Sequence, residues 1–219
     1  MQRQSSVSTD ARTFYPECTF CQTTVTAHLV MKETPNFRII ADHAPLLAGH
    51  TLIIPKQHYA CYGEMSATLD IELMSLKHEV TRFLKRYYAH PAYWEHGVFH
   101  QSVFHAHLHC FPIGATIYSG KEIELGQAIS SQEDIRRWYS QHGHYFDLED
   151  AHAAFLFPPD ENVYAEIVTK FLAPAVATHS TFTSWRTPQQ RQMDGKPLIA
   201  ALLHHWQEFQ QEEKNNPRT

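Results

Sequence analysis

No run of about 18 consecutive apolar residues, the length a bilayer-spanning helix needs, occurs among the 219 residues of this chain. The first ten residues are polar, with no apolar core of the kind a secretory leader carries, so a cytoplasmic location is the expectation. Cysteine is scarce, four residues at 18, 21, 61 and 110, and without a secretory signal a disulfide framework is not expected. There is no excess of basic charge either. The net charge is −5, which excludes a global attraction to nucleic acid or to acidic membranes and leaves only a local basic patch to meet phosphate groups. Internal repeats and low-complexity segments are also missing. What remains is an ordinary globular composition, 43% hydrophobic, long enough for one large or two small domains.

Histidine is abundant, 17 residues, and three of them alternate with apolar residues in Phe104-His105-Ala106-His107-Leu108-His109-Cys110-Phe111. A β-strand repeats every two residues. Read as a strand, the run puts His105, His107 and His109 on one face and Phe104, Ala106, Leu108 and Cys110 on the other. The apolar face can lie on a core while three imidazoles line a cleft. Imidazole titrates near neutrality and serves as base, acid, nucleophile or metal ligand.

The pattern elsewhere predicts an α+β fold. Phe37 to Ala41 and His50 to Pro55 read as strands joined by a loop over 42–49. Ser66 to His90 reads as a helix with an apolar stripe of Leu69, Leu73, Leu76, Val80, Phe83 and Tyr87, ended by Pro91. Tyr93 to Phe99 reads as a further strand. Beyond about Ala115, Ser130-x-x-Glu133 suggests a capping box, and 145–148 and 153–157 suggest two strands. Asp160 should open a helix that breaks at Pro174, and Pro197 should start a last helix carrying Leu198, Leu202, Trp206 and Phe209. The expected organisation is a disordered arm over 1–13, a catalytic domain over 14–118, an α+β extension over 119–214 and a frayed tail over 215–219.

The stretch Gln101-Ser102-Val103-Phe104-His105-Ala106-His107-Leu108-His109-Cys110-Phe111 resembles the signature of the histidine triad (HIT) superfamily, with His100 where the family often has Gly. Upstream, Ala48-Gly49-His50-Thr51-Leu52-Ile53-Ile54-Pro55-Lys56-Gln57-His58 is similar to the family's Pro-Gly-His-x-Leu segment. Cys18-Thr19-Phe20-Cys21 resembles the opening of many members. The resemblance covers the first half of the chain, and it implies an antiparallel sheet with one long packed helix.

For chemistry, the resemblance implies a nucleotide hydrolase or transferase in which His107 attacks the α-phosphorus and forms a nucleotidyl-histidine. Dinucleoside polyphosphates and AMP-amine conjugates are the family's typical substrates. His109, Gln101, Ser102 and His50 would surround the phosphate. Asp42 would hold the ribose hydroxyls, and Ile40 and His43 would flank the purine, an adenine nucleotide being favoured. Ala44 replaces the usual Asn or Ser. The resemblance also implies a structural zinc held by Cys18, Cys21, His58 and His105. The Cys-x-x-Cys pair taken alone would equally suit two reduced buried thiols. Two other readings stay open: a nucleotide-binding scaffold without turnover, and a metallohydrolase with zinc on His107 and His109 and a third ligand among Asp42, His50 and His100. The family often pairs as homodimers. The region after the HIT-like half faintly resembles the corresponding segment of CwfJ-type splicing-associated proteins, and Arg186 beside Trp185, or Lys196, could add a substrate contact.

Overall fold

The structure is a computed structural model that describes residues 15–114, 125–179 and 187–216. The expected arm over 1–13, the boundary at 118/119, the Trp185–Arg186 pair and residues 217–219 lie outside them.

The fold is α+β. Among the described residues, eight antiparallel strands form one sheet in the order β1-β2-β3-β5-β4-β7-β8-β6. They are β1 (Val30–Glu33), β2 (Phe37–Ala41), β3 (Thr51–Pro55), β4 (Pro91–Glu95), β5 (Leu108–Pro112), β6 (Gln127–Ala128), β7 (Phe146–Glu149) and β8 (Ala154–Phe157). The extension is therefore no tail: β7 pairs with β4, matching Tyr93 with Glu149, Trp94 with Leu148 and Glu95 with Asp147. This seam is anchored by buried Glu95, which accepts from the Tyr145 hydroxyl (2.5 Å) and the Tyr62 amide (2.8 Å). Burial pushes the Glu95 carboxyl up to about 7.

The helices are α1 (Thr23–Thr26), α2 (Asp70–Tyr87), α3 (Gln132–His142), α4 (Glu161–Ile167), α5 (Ala173–His179), α6 (Pro188–Asp194) and α7 (Lys196–Asn215). In α2 the stripe Leu73, Leu76, Val80, Phe83 and Leu84 is buried against the sheet. Ser66 caps the 3-10 turn that precedes it, accepting from the Thr68 amide. The last helix behaves as its period predicts: Leu202, Trp206 and Phe209 are buried, and Trp206 meets Phe83 edge-on at 4.9 Å.

Several expectations are corrected. Only Leu108 to Pro112 is strand; His105 and His107 precede it. The reason is Pro55. The β3–β5 ladder is registered as far as Ile53 opposite Leu108. Two residues on, Pro55 has no N–H to donate, and its carbonyl accepts from the His105 ring at 2.8 Å. Phe104 is not on the buried face but 64% exposed. Strand β4 stops at Glu95 rather than Phe99, since Gly97, Val98 and His100 all have positive φ (53°, 82° and 58°). The position where the family often has Gly is thus a left-handed one, which His tolerates at a cost. The capping box is Ser131 with Asp134, one residue later than expected. The helix opened by Asp160 does not break at Pro174. A π-helical turn over Val168–Leu172 intervenes, and α5 continues through the proline. A widened turn accommodates the missing donor.

Candidate functional site

Strand β5 alternates as a strand should. Leu108 and Cys110 join the core beneath α2, whereas His109 and Phe111 face the opposite side with Trp94. On that side a cleft of about 480 Å³ opens between the first half and the extension. Asp42, His43, His50, His96, His109 and Ser102 line it from one side, and Tyr164, Val168, Leu172, Pro188 and Arg191 from the other. The π turn thus sits at the cleft wall.

His50 enters from the loop that precedes β3. Gly49, at φ +84°, makes that turn, and a Cβ there would meet Pro112 and the Tyr88 ring at 2.9 Å. The Leu46 amide donates to His50 Nδ1 (3.3 Å), so the His50 proton sits on Nε2 and is donated to His109 Nδ1 (3.0 Å). The His109 proton is therefore on Nε2. Asp42 turns the loop by accepting from the Ala44 amide at 2.7 Å, and its other oxygen lies 3.7 Å from His50 Nε2. His107 is 4% exposed, with its ring 4.9 Å from His109, 5.4 Å from Phe20 and 6.4 Å from His96. Its Nδ1–H donates to the His105 carbonyl at 2.7 Å, which leaves a lone pair on Nε2.

Of the other expected residues, Ser102 is exposed at the cleft. Gln101 donates to the Ala60 carbonyl (3.0 Å), while its Oε1 is buried with no partner among the described residues. His43 faces the cleft, but Ile40 is buried in the core. Lys196 begins α7 and is exposed. Arg191, Tyr164 and His96 were not foreseen. They reach the cleft through long-range packing that no local period encodes.

Burial lowers the pKa of His50 to about 4 and of His96 to about 3, and it holds His109 well below the usual range. These imidazoles are neutral at pH 7. Below the unfolded value of about 6.5, the unfolded chain gains protons that the folded chain refuses. Stability should then fall with pH from about 6.5 until the folded values are reached, by about 1.4 kcal/mol per pH unit for each such histidine. Thermal melts between pH 7 and 5 check this. A midpoint that is flat across that window contradicts it.

A second cluster adjoins the first. The Cys18 and Cys21 backbones form a tight turn, the Cys21 and Gln22 amides both donating to the Cys18 carbonyl at 3.1 Å. His105 Nδ1 lies 3.4 Å from Cys18 Sγ and 3.6 Å from Cys21 Sγ, and His58 Nδ1 lies 3.5 Å from Cys21 Sγ. Tetrahedral zinc with its usual bond lengths places sulfur and nitrogen about 3.6 Å apart. His105 spends Nε2–H on Pro55 and so turns the unprotonated nitrogen toward the sulfurs. The four residues fit a metal ion. Asp42, His50 and His109 also converge, but His50 Nε2 carries the proton there, which does not suit a metal at that nitrogen.

No helix among the described residues is long and apolar enough to cross a membrane. Residues 23–115 match the family model of the HIT domain. A "HIT-like protein" of Borreliella burgdorferi is 28% identical over 111 residues, 44% of this chain and 75% of the relative. Among solved structures, a zinc-bound histidine triad family protein from Mycobacterium smegmatis overlays with a TM-score of 0.40 at 23% identity, covering 57% of this chain and 94% of that one. A HIT family hydrolase from Clostridium thermocellum gives 0.37 at 27%, covering 50% and 98%. The matched segment holds β1 to β5, α2 and all three histidines of the run, and over that segment the chain is similar to histidine triad proteins, while β6 to β8 continue the same sheet beyond it.

Proposed function

We propose that this protein is a nucleotide hydrolase that cleaves a nucleoside phosphoanhydride or phosphoramidate through a nucleotidyl group on His107. The observation that carries the reading is the orientation of His107. Its Nδ1–H is held by the His105 carbonyl, so a neutral imidazole keeps the Nε2 lone pair, in a ring packed against His109, Phe20 and His96 of the cleft wall. Attack of that nitrogen on the α-phosphorus forms a P–N bond and breaks the bond to the leaving group. Water then cleaves the P–N bond and frees the nucleoside monophosphate. His109 keeps its proton on Nε2 because His50 donates to its Nδ1, so it can donate to a phosphate oxygen or to the leaving group. Ser102 adds a hydroxyl at the cleft, and Gln101 ties the segment before it to the Ala60 carbonyl. Asp42 would accept from the ribose hydroxyls, with His43 beside the base.

Zinc would be held by Cys18, Cys21, His58 and His105. With its coordination closed, it would supply a tie between the N-terminal segment and the histidine segment rather than Lewis acidity. The His50–His109 hydrogen bond weighs against the metallohydrolase reading, since it occupies His109 Nδ1 and leaves protons on His50 Nε2 and His109 Nε2.

The test is AMP release from diadenosine polyphosphates and an adenosine phosphoramidate. Turnover of at least one is expected. AMP binding with no turnover of any would favour the scaffold reading.

A further inference from the structure

We propose that Arg191, from the extension, is the cation that admits a phosphate-bearing nucleoside to this cleft, an inference that rests on the nucleotide reading above. The described lining of the cleft contains one Arg and no Lys, and the Arg is Arg191. Two of its histidines, His50 and His109, supply no charge. His50 Nδ1 accepts from the Leu46 amide and His109 Nδ1 accepts from His50, so both rings are neutral by their hydrogen bonds. Asp42 adds a negative charge. Without Arg191, a phosphate would enter a neutral-to-negative, half-enclosed site, where desolvation of an anion is costly. With it, the wall carries a guanidinium, the planar donor suited to phosphate oxygens.

Arg191 is held in place rather than trailing on the surface. Its Nε donates to the Ala44 carbonyl at 3.0 Å, on the same loop that carries Asp42. Helix α6 is fixed at its start by Thr187 and Gln190, which cap each other's backbone amides, with Pro188 next. At its end Gly195 lies so close to this loop that a Cβ would meet the Pro45 ring at 2.6 Å. Burial disfavours the charged form of Arg191 and nearby Asp42 offsets this. A half-buried cation kept at the wall of a cleft is placed for an anionic ligand, and the extension thereby becomes part of the binding site.

The experiment compares AMP with adenosine, by calorimetry or competition, for the parent, Arg191→Gln and Arg191→Lys, each checked for an unchanged melting curve. Loss of a charge-assisted contact should weaken AMP about ten- to hundred-fold in Arg191→Gln and change adenosine less than about three-fold. Arg191→Lys, which keeps the charge without the planar fork, should recover part of the loss. Equal weakening of both ligands would overturn the proposal and make Arg191 a strut for the 42–45 loop. Unchanged AMP affinity would overturn it too. Failure of the parent to bind either ligand would instead sink the nucleotide reading itself.

Discussion

His107→Ala should lower the rate of AMP release by about a thousand-fold or more, with the fold intact. A covalent mechanism has no second route of similar speed once its nucleophile is gone. Among the described residues the side chain makes one hydrogen bond, to the His105 carbonyl, so its removal should cost about 1–2 kcal/mol of stability, too little to unfold a chain of this size. His109→Ala should show a smaller loss, about 10² to 10⁴, because it removes a proton donor and leaves the nucleophile in place. Rates measured on the same substrate, beside melting curves, separate the two. A His109 variant slower than the His107 variant would reverse the assignment of roles.

The second large effect concerns the sulfur–nitrogen cluster. Cys21→Ala removes the residue whose sulfur lies within 3.6 Å of both His58 and His105. The purified parent should carry about one zinc per chain by elemental analysis and the variant almost none, because three ligands bind far more weakly than a closed set of four. Losing the tie between residues 18–21 and the histidine segment should cost about 3–5 kcal/mol, which lowers the midpoint by about 10 °C in a domain of this size. Chelation of the parent should reproduce that drop. A variant that keeps its zinc and its midpoint would show that the four residues are only neighbours.

How far the sequence reaches is plain from particular residues. Strand β2 spans Phe37–Ala41 as expected, Asp160 caps its helix through two amides, and the α2 stripe is buried as its spacing requires. These are local signals: alternation, a side-chain oxygen before a helix, a 3.6 period. The three histidines were legible for the same reason, yet their shared strand face was not real. His105 leaves the ladder because Pro55, some fifty residues earlier, cannot donate and offers its carbonyl to the ring. The separation has a chemical consequence. His105 turns toward Cys18 and Cys21, while the His107 and His109 rings lie near His96, and His109 lines the cleft. The extension was the least legible part. Nothing local in Arg191 or Tyr164 says that α4 and α6 close over the histidine face. The β4–β7 ladder and the approach of Gly195 to Pro45 decide that.

The central claim is that one nitrogen of His107 carries the nucleotidyl group. The direct measurement is to mix protein with excess substrate, stop the reaction within its first turnovers at alkaline pH, and map the adduct by peptide mass spectrometry. The account predicts one nucleoside monophosphate on the peptide containing His107, absent from His107→Ala. Parental turnover in His107→Ala, or an adduct on any other residue, would contradict it.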